Sequence, residues 1–510
     1  MNKKILTLLV LVVLLGSSCS EFLAVNEVNP NIASKVPAKL LLPAALNNIA
    51  YTMNYPRRFD FVYLWHGLWC ISSGYSQPSG LVQYRLLNSD YQNAFQESYT
   101  TGQNLVEIEK ASTDPKEASY LAIAMIMKAY IMQNLVDCWG NVPYSEAFRS
   151  DEGLYKPKYD DQKAIYEDQI VKLDAAIKLI QNRPVDATEI TGLSDIMFAG
   201  DMNKWVKFAN TLKLRMLIHQ SGMTGRDAYI KGAIATTASV GYLGAGESAL
   251  VNPGFTVSAT KMNPFYEYFY KADGTTQTDG VTYYNAGKDV VDFMNGVADP
   301  RISRFFNPYS GTVSAGTALF AGNALGITEP PARTAATTSK LGYSATDAKA
   351  SGYMIGTFDK SAPILTDIES LFVQAEAVER GYITGSGQAL YESAITQSFI
   401  YMGLTAAQAT TYLATEKTSV NYALATSKIN LILDQKWVSL NGIAPVEIWT
   451  DYRRSGRPAN ITFSKDPNIA NPTPPVRLLY PQREISVNND NVVAVGKIDA
   501  FTSKIFWQSR

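Results

Sequence analysis

The stretch Lys116 to Trp139, KEASYLAIAMIMKAYIMQNLVDCW, decides how the rest of the chain is read. Ala118, Leu121, Ala122, Met125, Ala129, Met132 and Val136 recur at steps of three and four, the spacing that lines up side chains along one face of an α-helix. The pattern predicts a helix with one buried face. Its start is marked by Asp114 at the N-cap, Pro115 at the first helical position and Glu117 at the third, a capping box with Asp in place of Ser or Thr. Gly140 and Pro143 end it.

Working outward, the same periodicity covers about Pro37–Tyr55, Phe59–Ser72, Tyr91–Ala111, Asp161–Gln181 and Met202–Gln220, the last closing at Gly222 as a C′ glycine. These segments are expected to form antiparallel helical pairs. Between about Thr224 and Pro363 the chain turns to Gly, Ser, Thr, Ala, Pro and Tyr, with a short helical piece near Asn285–Asn295; irregular stretches this long usually carry function. Thr366-Asp367-Ile368-Glu369 then reads as a capping box opening a helix to Arg380, stopped by Gly381. A second helix follows over Gly387–Met402. The two together approach the length of the ~34-residue tetratricopeptide (TPR) unit, so the pair is TPR-like. Helices are also expected at Ser427–Leu440 and Pro445–Ser455, before a Pro/Asn-rich tail. The fold class is mainly α: a scaffold of TPR-like helical pairs plus a long irregular loop region. At ~150 residues per domain the length of 510 suggests three domains. The pattern replaces these with a single helical domain over residues 19–510, carrying a loop-rich insertion at about 224–363.

The first residues have the three parts of a secretory leader: Lys3 and Lys4, an apolar run from Ile5 to Leu15, and Gly16-Ser17-Ser18 ending at Cys19. The run is too short to span a membrane, and no later stretch reads as spanning. Small residues directly before a cysteine match a bacterial lipobox, although Leu15 lies four residues before Cys19 rather than three. Residues 1–18 are therefore expected to be a lipoprotein signal peptide and Cys19 the lipidated residue, held at the membrane by its acyl chains alone. Cys70 and Cys138 could pair in an oxidising compartment, but burial as free thiols is the favoured expectation.

Lys and Arg number 45 against 46 Asp and Glu, which excludes the basic footprint of a nucleic-acid binder. Charged residues make up only 18%, while there are 30 Tyr, 20 Phe and 7 Trp. Such a surface suits an uncharged ligand. Only His66 and His219 could act as imidazole bases, and His219 falls on the Trp205, Phe208, Leu212, Met216 stripe of a core face. There is no HExxH, P-loop, EF-hand or dinucleotide fingerprint, so no metal or cofactor is expected. The run Asp451 to Arg457 closes a helix with cations and reads as structural, with an Arg able to pair with a buried Glu such as Glu484.

Aromatics gather in or beside loops. Trp65, Trp69, Tyr75 and Tyr84 surround the Ser72–Gln83 loop, and Tyr266 and Tyr283 lie in the irregular region. A flat ring can stack on a pyranose while nearby Asn, Gln and Ser bond its hydroxyls. Tyr75, Tyr84, Tyr266 and Tyr283 are the favoured ligand residues. Trp65 and Trp69, four apart on an expected helix, fit a core as well as a platform.

Taken in order along the chain, several stretches resemble the SusD/RagB family of outer-membrane nutrient-binding lipoproteins. They are Gly16–Cys19, Leu135–Tyr144, Asp299-Pro300-Arg301, Ile364–Gly381, Ile432–Trp437, Ile448–Gly456, and Tyr480–Glu484 leading to Asn488-Asn489. The resemblance implies one α-rich fold with four TPR-like pairs and ligand loops on one side. It also implies a non-enzymatic, lipid-anchored protein at the Bacteroidota cell surface. There it would act as a lid on a SusC-like TonB-dependent transporter that imports oligosaccharides or, in some members, peptides. A surface glycoside hydrolase and a purely structural docking protein are the competing readings.

Overall fold

The computed structural model describes residues 36–309, 319–327, 334, 336–343 and 352–508; the leader, Cys19 and the Asn26–Asn31 tether lie outside these. Helical periodicity in the sequence becomes helix over α1 (Ala38–Asn54), α2 (Gln92–Ala111), α3 (Ala118–Trp139), α4 (Gln162–Gln181) and α5 (Met202–His219). After the irregular region follow α6 (Asp367–Glu379), α7 (Gly387–Tyr401), α8 (Lys428–Ser439) and α9 (Pro445–Ser455). Successive helices pack together from α1 to α7, α8 packs on α6, and α9 crosses α3. Side-chain caps fix several starts: Asp161, Asp201, Thr366, Ser386 and Ser427 each accept a backbone N–H of the first turn. From Ala38 on, the chain forms one compact unit.

α3 lies at the centre, and the structure corrects its reading in two respects. It is buried on nearly every side, with Leu121 and Met125 among its few half-exposed residues, so it is a core helix and not a one-faced one. With the turn before it, Pro115–Trp139 is long and apolar enough to cross a membrane by composition, but its apolar stretch is mostly buried against the rest of the protein. Asp114 does accept the Lys116 N–H, yet it caps a short 3-10 turn, and Glu117 takes the Thr188 hydroxyl in place of closing the box. Gly222 is likewise not a C′ residue: α5 ends at His219 and Gly222 sits inside a 3-10 turn.

A polar network runs through this apolar core. Arg454 of α9 forks onto Glu376 of α6 at 2.7 and 2.6 Å and also reaches Asp451 at 2.6 Å. Lys436 of α8 lies 2.6 Å from Glu447 and 2.9 Å from Asp451, both on α9. Arg215 of α5 donates to Glu369 of α6 at 2.7 Å and to Gln133 of α3 at 2.8 Å. His219 stands between Glu447 and the Tyr166 hydroxyl at 3.0 Å each, and Tyr166 of α4 donates to Asp137 of α3 at 2.5 Å. Trp507, near the C-terminus, donates to the same carboxylate at 2.9 Å. The Asp451–Arg457 run is structural, as expected, but its partners are Glu376 and, for Arg457, Asp434; Glu484 instead accepts from Tyr159.

The region from Thr224 to Pro363 is more ordered than its composition suggests. Among its described residues are helices Asp227–Ala235, Pro264–Phe269 and Lys288–Gly296, and three strands of a four-stranded antiparallel sheet. That sheet joins β1 (Trp69–Ile71), β2 (Tyr284–Ala286), β3 (Phe306–Asn307) and β4 (Lys340–Leu341) in the order β1-β2-β4-β3. The expected Phe59–Ser72 helix therefore stops early, at Trp65. Gly67 breaks it with φ +69°, and a Cβ there would lie 2.2 Å from Asp289 Oδ2. Cys70 on β1 and Cys138 on α3 are buried free thiols.

The network makes stability depend on acid. Burial alone would raise the Glu376 carboxyl, but the charges of Arg454 and Arg380 outweigh it and hold it at about 2. Glu447 is held well below its ordinary value against the same burial, by Lys436 and His219. Glu369 goes the other way, raised by burial beyond what Arg215 offsets. The depressed Glu376 and Glu447 give stability that is present above the unfolded value of about 4.3 and lost as pH falls through the folded values, with Glu369 and Asp434, both raised by burial, opposing part of it. Urea titrations are expected to show falling stability below about pH 4.

Candidate functional site

The pairing of β1 with β2 builds the site. Its register sets Ile71 opposite Tyr284, and one step on the Ser72 N–H donates to the Tyr283 carbonyl at 2.8 Å. The 72–83 loop thus leaves the sheet beside Tyr283. Tyr75 meets Tyr283 edge-on at 5.3 Å between ring centroids, and its hydroxyl lies 2.5 Å from Thr282 Oγ1. From there rings continue in contact: Tyr283 to Tyr284 at 4.8 Å, Tyr284 to Tyr268 at 5.9 Å, Tyr268 to Tyr55 at 5.6 Å, and Tyr55 to Tyr51 at 5.2 Å. Tyr51 belongs to the last turn of α1 and Tyr55 follows it. Apart from Tyr284 these rings are half-buried, each with part of its surface open to solvent.

Two arginines border the run. Arg57 lies over the Tyr283 ring at 5.9 Å and donates to Asp60 at 3.0 Å; Arg58 lies over Tyr55 at 5.3 Å and pairs with Glu97. Asp60, 1% exposed, also accepts the hydroxyls of Tyr284 at 2.5 Å and Tyr91 at 3.1 Å, so one carboxylate ties three segments. Burial works against the Arg57 charge, and Asp60 more than restores it. A hollow of about 430 Å³ opens beside them, lined by Arg57, Asp60, Ser79, Gly80, Arg85 and Tyr91 among others. Burial holds the phenols of Tyr51 and Tyr268 up at about 12, so they are uncharged at neutral pH. Neutral rings beside paired charges can stack on and hydrogen-bond a polar, uncharged ligand. Among the described residues no cluster of His, Cys, Asp or Glu is placed to hold a metal ion.

A family model described as "Starch-binding associating with outer membrane" matches residues 30–481. The chain belongs to this SusD-like family. Solved structures agree in fold. A SusD homologue from Bacteroides uniformis is 22% identical with a TM-score of 0.72, over 92% of this chain and 99% of its own. A chitin-binding SusD homologue from Flavobacterium johnsoniae is 22% identical with a TM-score of 0.73, over 92% and 98%. A SusD-like protein from Bacteroides thetaiotaomicron is also 22% identical, at 0.73 over 93% and 99%. No curated protein sequence matches. SusD-like proteins bind their ligands and are not enzymes, and the family description associates them with the outer membrane.

In this SusD-like protein the six aromatics singled out from sequence divide. Tyr75 and Tyr283 come together on the open face. Trp65, Trp69, Tyr84 and Tyr266 do not reach it, which corrects the expected platform. Trp65 and Trp69 are fully buried, donating to the Leu81 carbonyl at 2.9 Å and to Asn441 Oδ1 at 2.9 Å. The Tyr84 hydroxyl accepts the Ser464 N–H at 2.8 Å inside the core, and Tyr266 donates to the Gly274 carbonyl at 2.7 Å while stacked on Tyr270. His66 is core as well, its pKa lowered to about 4 by burial. Sequence reasoning missed Tyr51, Tyr55 and Arg57. A tyrosine pair four apart at a helix end, followed by Pro-Arg-Arg, was the available signal.

The division has a measurable consequence. Trp69→Ala is expected to cost about 3–5 kcal/mol in urea unfolding, as for a large core side chain. Tyr75→Ala, on the open face, is expected to cost less than about 2 kcal/mol.

Proposed function

We propose that this chain is a cell-surface binding protein that captures a neutral oligosaccharide on its tyrosine run and hands it to a SusC-like TonB-dependent transporter in the outer membrane. The observation that carries the reading is the contact series from Tyr75 to Tyr51 with the Arg57–Asp60 hollow beside it. Its ring faces suit pyranoses, Arg57 and Arg58 are already paired with Asp60 and Glu97, and the hollow has the size of a small-molecule site. The chitin-binding description of two similar structures supports a glycan over a peptide. Isothermal titration against a glycan panel is expected to show binding that Tyr75→Ala and Tyr283→Ala each weaken by about tenfold or more. Peptide binding with no glycan binding would move the protein to the peptide-importing side of the family.

The same proposal includes cleavage after Ser18 and lipidation of Cys19, with residues 19–510 acting as a single binding domain on the outer face. Two or more acyl chains would hold it stably at the membrane. Metabolic labelling with a fatty acid is expected to mark the wild type and not Cys19→Ala; equal label in both would reject the anchor.

A further inference from the structure

The tyrosine run has a second hollow at its other end. About 370 Å³ in volume, it is walled by Tyr51, Asn47, Asn48, Thr100, Thr260 and Glu97 among others. Tyr51 stacks on Tyr55, and Tyr55 also carries Arg58 over its ring, so of the two it is Tyr51 that borders the hollow. An aromatic wall among amides, hydroxyls and one carboxylate is the chemistry that receives a sugar ring: stacking on one side, hydrogen bonds to hydroxyls on the others.

The charges around it are unequal. Glu97 is held in place by Arg58 at 2.8 Å and by Thr52 Oγ1 at 3.1 Å, so the nearest cation is already paired. A second carboxylate, Glu267, lies behind the wall, where its Oε1 accepts the Thr260 N–H at 2.7 Å. Its Oε2 is buried with no hydrogen-bond partner. The Glu267 charge reaches Tyr51, whose phenol is raised first by burial, then by Tyr55, then by Glu267. Lys261 follows Thr260 in the chain but is exposed, where solvent and salt weaken its field. The hollow therefore has negative charge in excess.

We infer that this hollow is a second pyranose subsite, at the far end of the tyrosine run, which takes an uncharged sugar unit and rejects an acidic one. It rests on the reading of the run as a glycan site, and extends that site to a longer chain lying across the rings. Titration calorimetry on the whole protein tests it with neutral hexose oligosaccharides of two lengths and with hexuronic acid oligomers of the longer length. The longer neutral ligand is expected to bind about tenfold more tightly than the shorter, and the uronic acid oligomer at least about tenfold more weakly than its neutral counterpart. Tyr51→Ala is expected to abolish the length gain. Asn48→Ala, at an exposed position, should do the same without touching the core. Glu267→Gln should narrow the gap between neutral and acidic ligands. A length gain that survives both Tyr51→Ala and Asn48→Ala, an absence of any length gain, or equal binding of acidic oligomers overturns the second subsite and leaves the primary reading standing. Failure of every glycan to bind overturns both.

Discussion

Lys436 lies between Glu447 and Asp451 in a place that water does not reach, and the architecture depends on that arrangement. Apolar burial is strong but without direction, so helices held by it alone can slide or rotate against one another. Charged hydrogen bonds are directional. Lys436 fixes α8 to α9, Arg454 fixes α9 to α6, Arg215 fixes α5 to both α6 and α3, and Tyr166 brings in α4. Each of these six helices thus supplies a group that another cannot leave unpaired. Removing one member of such a set typically costs about 3–5 kcal/mol, because a charge is left buried without compensation.

The same network reaches the tyrosine face through α9. Trp449 of α9 packs edge-on against Phe61 at 4.9 Å and against Trp65 at 6.4 Å. These two residues lie on the short Asp60–Trp65 helix whose first residue holds Tyr284, Tyr91 and Arg57. The buried ion pairs of the scaffold thus connect, through Trp449 and the Asp60–Trp65 helix, to the tyrosine run. Binding sites on rigid supports lose less entropy when occupied.

The helices were legible because their signals are local: three- and four-residue steps in α3, the cap at Thr366, and the stop at Gly381 all lie within a few turns. The family was legible because its motifs keep their order over the chain. The platform was only half legible. β1 is three residues long and its partner β2 lies far along the sequence, so beyond Gly67 nothing local marks Trp69–Ile71 as a strand. With the strand unseen, Trp69 kept a platform reading beside the core one, whereas it is stacked on Tyr63 at 4.2 Å in the core. Tyr51 and Tyr55 were hidden for the opposite reason, since rings four apart on an amphipathic helix read as packing. The partner of Arg454 was unreadable because Glu376, 78 positions away, is one of many acidic residues.

The Ile71–Tyr284 register carries one more consequence. The contacts that create the tyrosine face join distant parts of the chain: Tyr284 and Asp60 are 224 positions apart, Tyr75 and Thr282 are 207. Closing such large loops is entropically expensive, whereas helix-pair contacts between chain neighbours are cheap. Helix content and ligand capture are therefore unequal witnesses of integrity. A chain that has kept its helical array but lost the small sheet would look intact by circular dichroism and yet be blind to its ligand.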